Sequence, residues 1–243
     1  MSAVDLGDVF LRCCDPLSLP GAIEAAATAV LATGAMLIGP GGDHFITLPL
    51  MKATAARHGP LAMIQFDAHP YTWQDAPSQE GRFTLDHGTM FRRAVEQNVI
   101  DPVRSIQVGI RTWVDDRMGI AILDNVECED RSVFEIAETI RRTVGDRPCY
   151  LTVDIDCLDP AFAPGTGTPV SAGMTPLKLL RIFRAIAGLN IVGCDLVEVS
   201  PPYDVAGITA LNAATILYEQ LVRIARNKEA AVSTYAGVPS IIA

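Results

Sequence analysis

Histidine is scarce in this chain, with four in 243 residues and no two adjacent, and the six cysteines show no C-x-x-C spacing. The cysteine pattern excludes a thiolate zinc site and a disulfide framework. Basic residues are also short, 19 Lys and Arg against 28 Asp and Glu for a net charge of -9, which argues against general nucleic-acid binding and tolerates a cationic substrate. No apolar run reaches the ~18 residues of a membrane span; the richest stretch, Ala22 to Ile38, is broken by Glu24, Thr28, Thr33 and Gly34. The N-terminus has no basic leader, so the expectation is a cytoplasmic protein with reduced thiols at Cys13, Cys14, Cys128, Cys149, Cys157 and Cys194. Repeats, low-complexity tracts and interdomain linkers are missing too, which leaves one domain over residues 1–243.

What is present is a 49% hydrophobic chain of positive mean hydropathy in which short apolar runs alternate with helical segments, the pattern of βαβ units and a parallel sheet. Strands are expected at Ala3 to Val9, Ala35 to Ile38, Leu61 to Phe66, Ser105 to Val108, Ala121 to Leu123, Cys149 to Val153 and Ile191 to Val197. Helices are expected at Gly21 to Ala32, Phe45 to His58, Gly88 to Gln97, Ser132 to Val144, Pro176 to Ala187 and Gly207 to Ala225.

Asp154 and Asp156 carry the most information. They lie two residues apart behind an apolar, β-branched run, so two same-facing carboxylates at a buried strand end need something to neutralise them. His44 in Gly-Gly-Asp-His, and Asp67 with His69 in Phe-Asp-Ala-His, fall at two other strand ends. Open parallel sheets bind ligands at those ends, and three carboxylates with two imidazoles suit Mn²⁺ or a similar divalent cation. Paired cations would activate a water for direct attack on an electrophilic carbon, with no Ser or Cys nucleophile. Cys157, beside the aspartates, reads as packing. Glu198 ends a further strand and matches a planar guanidinium; His87, in Asp-His-Gly-Thr, is placed to shuttle a proton to a leaving amine. Asp43 doubles as a helix N-cap, and His58, before Gly-Pro, reads as a partner of a helix C-terminus.

Gly-Gly-Asp-His at 41–44, Phe-Asp-Ala-His at 66–69, Asp-His-Gly-Thr-Met-Phe at 86–91, Gln-Val-Gly-Ile-Arg-Thr at 107–112, the long run Val153 to Pro169 and Asp-Leu-Val-Glu-Val-Ser-Pro at 195–201 resemble the ureohydrolase (arginase and agmatinase) family, with more likeness to bacterial agmatinases. The resemblance implies a three-layer α/β/α fold with a mainly parallel sheet, two Mn²⁺ per chain, a homo-oligomer (trimer or hexamer), and hydrolysis of a guanidino compound, agmatine to putrescine and urea. By position it implies His44 on one ion, His69 and Asp156 on the other, Asp67 and Asp154 bridging, Glu198 on the guanidinium and His87 near the substrate or relaying protons.

Two departures stand against the family pattern. Tyr71 occupies the place of a further ligand aspartate, so the ion beside His44 is expected to bind weakly. An unperturbed phenol with a pKa of about 10 costs roughly 4 kcal/mol to ionise at neutral pH, and Asp75 in the adjacent loop is the other candidate ligand. Nothing matches the family's preceding Gly-x-Arg-x-Gly-Pro segment, so the expectation is either a misassigned start or a domain N-terminally short by a strand and a helix, with apolar surface exposed as a result. Three other readings therefore stay open: a non-catalytic paralogue, a hydrolase of another guanidino acid such as 4-guanidinobutanoate, and a one-metal amidohydrolase built on Asp67, His69 and Asp154.

Overall fold

The computed structural model describes residues 2–9, 15–75 and 86–236, with side chains as far as Asn227. Its centre is a sheet of six parallel strands, β1 (Leu37–Pro40), β2 (Ala62–Phe66), β3 (Ile106–Ile110), β4 (Ala121–Asp124), β5 (Cys149–Val153) and β6 (Ile191–Leu196), in the order β1-β6-β5-β2-β3-β4. The central strands are mostly apolar or β-branched, as a sheet covered on both faces demands, with Gln65, Gln107 and Asp195 as buried polar exceptions.

Alternation along the strands sorts the core into two layers. Ala62, Ile64 and Phe66 turn to one face and join Ile136, Ile140, Leu179, Ile182 and Phe183. These come from α5 (Val133–Val144) and α6 (Pro176–Ala185), and α7 (Ile208–Ala236) adds Ala213, Ile216 and Ile224 to the same cluster. Met63 and Tyr150 turn to the other face and pack with Ile23, Leu31, Leu48, Met51, Met90 and Phe91. These belong to α1 (Leu19–Ala32), α2 (Thr47–His58) and α3 (Met90–Glu96). The result is the expected three-layer α/β/α arrangement.

Local sequence explains the helix starts. Ser132 accepts from Glu135 N while the Glu135 carboxylate accepts from Ser132 N, a reciprocal cap. Thr175 caps α6 with Pro176 at the first helical position. The sequence reading has no counterpart for α4 (Asn125–Asp130), one short turn capped by Asp124, because six residues rich in acid carry no apolar period. The expected strand Ala3 to Val9 is corrected: these residues form no strand and are exposed, Val4 at 78% and Leu6 at 70%. A strand exists only when a neighbour takes its N–H and C=O groups, and β1 pairs with β6 alone among the described strands.

At its far end α7 runs to Ala236, past the expected Ala225. The stretch Val205–Asn227, a short 3-10 turn running into α7, is long and apolar enough to cross a membrane by length and composition, yet α7 is also the helix that buries Ala213, Ile216 and Ile224 in the core.

Gly193 and Gly109 are among the glycines that an added Cβ would crowd. Gly193 lies against the Tyr150 ring, where an added Cβ would come within 2.8 Å of it. Gly109, at φ +93, forms the irregularity between Val108 and Ile110, and its Cβ would press on Asp67 O at 3.3 Å.

Phe183 is fully buried edge-on to Phe66 at 5.2 Å. Phe183→Ala is expected to cost about 3–5 kcal/mol and Ser132→Ala about 1 kcal/mol, read as the shift of a urea unfolding midpoint at unchanged slope.

Candidate metal centre

Six of the seven expected site residues sit just past the carboxyl end of a strand, and His87 opens the 3-10 turn before α3. His44 opens a short 3-10 turn after β1, Asp67 and His69 follow β2, Asp154 and Asp156 follow β5, and Glu198 follows β6. The parallel bonds that hold the sheet therefore place these groups side by side. Asp154 extends the sheet by one further step, bridging to Val197.

The expected ligands come together as two groups that share Asp67: His44, Asp67 and Asp154, and Asp67, His69 and Asp156, all buried. His44 Nδ1 lies 3.1 Å from Asp154 Oδ2 and 3.2 Å from Asp67 Oδ2. His69 Nδ1 lies 3.0 Å from Asp156 Oδ2 and 3.5 Å from Asp67 Oδ1. Backbone amides claim one oxygen of each carboxylate: His69 N donates to Asp67 Oδ1 at 2.7 Å, Asp156 N to Asp154 Oδ1 at 2.9 Å and Ala68 N to Asp156 Oδ1 at 3.0 Å. The remaining oxygens are left for the centre of the cluster.

These residues fit a divalent cation. His69 Nδ1 and Asp156 Oδ2 are buried without a hydrogen bond of proper geometry, although they are only 3.0 Å apart. Unpaired buried polar atoms are costly, and both are good donors to a hard or borderline ion. A polar row behind the ligands, on β3, β2 and β5, was not read from the sequence. Gln65 is in register with both Gln107 and Thr152, and all three are fully buried. Gln65 Nε2 donates to Asp67 Oδ2 at 2.6 Å, Gln107 Nε2 to Gln65 Oε1 at 2.6 Å, and Thr152 Oγ1 lies 2.8 Å from His44 Nε2. Thr152 engages Nε2 and leaves Nδ1 facing the carboxylates, the usual way an outer partner orients a ligand imidazole. A polar residue inside an apolar strand is the signal that could have found this row.

Above the cluster, Asp43, His87 and Glu198 form a third group. His87 Nδ1 donates to Asp43 Oδ2 at 3.0 Å and is 3.7 Å from Glu198 Oε1. Glu198 Oε1 accepts from His44 N at 2.7 Å, and Asp43 caps the turn at Phe45 N. Glu198 (φ 66) and Tyr71 (φ 50) both hold left-handed backbone, a strained conformation for such side chains that concentrates at functional sites.

Tyr71 is buried beside the first group and donates to Asp154 Oδ2 at 3.1 Å. Burial and then the charges of Asp67 and Asp154 push its phenol far above the ordinary range, so it stands as a neutral donor. Asp75 is not with the ligands; it holds an ion pair with Arg93 at 2.8 Å. Cys157 is fully buried and its thiol is pushed well up by burial, in keeping with packing. Cys13, Cys14 and residues 76–85 lie outside the described residues.

Burial works against every charge in the cluster, and partners decide the outcome. His69 is lowered by burial but raised further by Asp156 and Asp67, to about 10; His44 ends well above its ordinary value through Asp154 and Asp67. Burial would raise Asp67, but hydrogen bonds from His44 and His69 outweigh it and hold Asp67 at about 2. Asp154 and Asp156 are raised, first by burial and then by their acidic neighbours.

The signs give a pH profile for the cation-free protein. The His69 contribution to stability is complete below ~6.5, its unfolded value, and is lost as pH rises toward about 10; the raised Asp154 and Asp156 act with the same sign. Asp67 contributes above ~3.9, and that part is lost as pH falls to about 2. Ligation requires neutral imidazole, so Mn²⁺ binding near neutral pH is expected to release protons and to tighten as pH rises. Calorimetric titrations in buffers of different ionisation enthalpy measure the release directly.

The comparisons with known proteins agree with this geometry. The arginase family model matches residues 1–222. An agmatinase of Chromobacterium violaceum is 47% identical over 232 residues, which are 95% of this chain and 70% of that protein. An agmatinase of Photorhabdus laumondii is 48% identical over 221 residues, covering 91% and 70%. Among solved structures, a hypothetical agmatinase from Burkholderia thailandensis superposes with a TM-score of 0.89 at 46% identity, covering 93% of this chain and 71% of that one. The proclavaminate amidino hydrolase of Streptomyces clavuligerus gives 0.85 at 38%, covering 92% and 76%. A family model that takes in nearly the whole described chain, and relatives of this identity on the same fold, leave one assignment: the chain belongs to the arginase family and is a ureohydrolase.

Proposed function

We propose that the chain hydrolyses the guanidino group of agmatine to urea and putrescine with Mn²⁺ at the two acid and imidazole groups. The observation that carries this reading is the pair of buried groups sharing Asp67 beneath Glu198 and His87. In it, His44, Asp67 and Asp154 would hold one ion, and Asp67, His69 and Asp156 would hold the other. Cations bound there would supply an activated water and polarise the guanidinium carbon.

The protein's own part is binding and proton handling. Glu198, fixed by His44 N, presents its other oxygen, Oε2, near Gly167 and pairs with the guanidinium, a charge-assisted contact that favours a planar cation. His87, whose affinity for a proton is raised chiefly by its bond to Asp43, passes that proton to the departing amine. The agmatinase relatives favour agmatine over 4-guanidinobutanoate or arginine as substrate.

Tyr71 favours a second reading, a ureohydrolase relative that binds metal without turnover, because a neutral phenol occupies one of its ligand groups. Exposed Tyr203, Val205, Ile208, Leu211 and Tyr218 form an apolar face that fits a homo-oligomer of the trimer or hexamer type. Buried free thiols at Cys128, Cys149, Cys157 and Cys194 fit a reducing, cytoplasmic setting.

Urea release from agmatine, 4-guanidinobutanoate and arginine by the Mn²⁺-loaded protein tests the reading. Agmatine is expected to be preferred, Asp154→Ala to lose at least about a hundredfold, more than the 10–100-fold usual for outer contacts to a metal, and Glu198→Gln to raise KM and lower kcat. Metal-loaded, folded protein that releases no urea from any of the three would establish the second reading instead.

A further inference from the structure

A cavity of about 410 Å³ lies at the opposite, amino-terminal rim of the sheet from the metal centre. Met36 just before β1 and the residues from Gly188 to Ile191 that lead into β6 line one side, and Gln220, Arg223 and Ile224 of α7 line the other. Leu151 of β5 and Cys194 of β6 complete the wall. Its volume is that of a small-molecule site, and its surface is mostly apolar, with Arg223 the one cation among the lining residues.

Arg223 is 4% exposed and incompletely satisfied. Its Nη2 donates to Ile186 O at 3.0 Å and its guanidinium lies 5.8 Å from the centre of the Phe183 ring, while Nε and Nη1 have no hydrogen-bond partner. No carboxylate takes them up: Glu219, the acid nearest in sequence, is held by Arg184 through Nε at 3.0 Å and Nη2 at 2.9 Å. Arg141, donating to Ala185 O and Ala187 O, adds a like charge beside the cavity. Burial lowers Arg223 to about 10, which still leaves a full cation at neutral pH. A second wall group is also unmatched: Gln220 is 2% exposed, its Nε2 donates to Asp195 O at 3.3 Å, and its Oε1 has no partner. A buried cation and a buried acceptor left open onto one cavity are costly unless something fills it.

We propose that this cavity is a second ligand site, separate from the metal centre, that takes a small monocarboxylate with an apolar body. The carboxylate accepts from Arg223 Nε or Nη1, a charge-assisted bond in a place shielded from water. The body lies against Leu151, Leu189, Ile191 and Ile224, and Gln220 Oε1 accepts from a hydroxyl of the ligand or from a bridging water. A phosphate fits the wall less well, because its several oxygens need more donors than a single guanidinium supplies among apolar side chains.

Hexanoate is the probe, with hexanol and inorganic phosphate as comparisons, titrated calorimetrically into the Mn²⁺-loaded, full-length protein. One hexanoate per chain is expected, bound at least about tenfold more tightly than either comparison, and it is expected to raise the urea unfolding midpoint. Arg223→Met, which keeps the length of the side chain, is expected to weaken hexanoate at least about tenfold while leaving the ligand-free midpoint the same or higher, since an unmatched buried charge has gone. Arg223→Lys is expected to lose less. Hexanoate binding should persist without Mn²⁺, which separates this site from carboxylate ligation of the metal. The proposal is overturned if hexanol or phosphate binds as well as hexanoate, if Arg223→Met binds hexanoate unchanged, if binding requires Mn²⁺, or if the folded protein takes up no hexanoate up to about 10 mM. The ureohydrolase reading stands or falls separately, on urea release.

Discussion

The structure depends on mutual neutralisation among ionisable groups that water cannot reach. Asp67, Asp154 and Asp156 are between 0% and 1% exposed, and His44 and His69 0% and 8%. Each of these five would be prohibitive alone at that depth. Together, three acids and two imidazoles form a set whose net charge is small when the imidazoles carry protons and whose appetite for divalent cations is large when they do not. The ligand set thus has two compensated states, and exchange of protons for metal carries it from one to the other.

The fold makes such a cluster possible by separating geometry from chemistry. Parallel strands deliver six of the site residues to one rim of the sheet, backbone amides of the following turns restrain one oxygen of each ligand carboxylate, and only then do side chains choose partners. Glu198 and Tyr71 depart most from ordinary backbone here. Both side chains meet the cluster, Glu198 at His44 N and Tyr71 at Asp154 Oδ2, so the backbone strain sits at the site itself.

Much of this was legible in the sequence, because runs such as Leu61 to Phe66 and Cys149 to Val153 read as buried strands and the acids behind them have no other reason to be there. Five ligand candidates, Glu198 and His87 follow from that logic together with the family resemblance, and all seven lie at the same rim. Other features were not legible. Residues 3–9 have strand composition, but pairing is a property of neighbours and no described strand lies beside them. Asp75 has the chemistry of a ligand, but a through-space partner decides its role, and Arg93 lies 18 positions further on. Tyr71 stood out at its position, whereas its hydrogen bond to Asp154 needed coordinates.

Gln107, Gln65 and Thr152 have a consequence for how the chain finds its sheet. Residues opposite one another on β3, β2 and β5 are the ones that brace Asp67 and His44. A slip of β5 by one place against β2 would set Leu151 or Val153 across from Gln65, invert every side chain that follows on β5, and take the Thr152 hydroxyl away from His44. Purely aliphatic strands tolerate such errors better, since one branched side chain replaces another. The polar ladder therefore acts as a proofreading mark on strand alignment, so that a chain able to assemble its catalytic rim has already chosen the correct pairing of β3, β2 and β5.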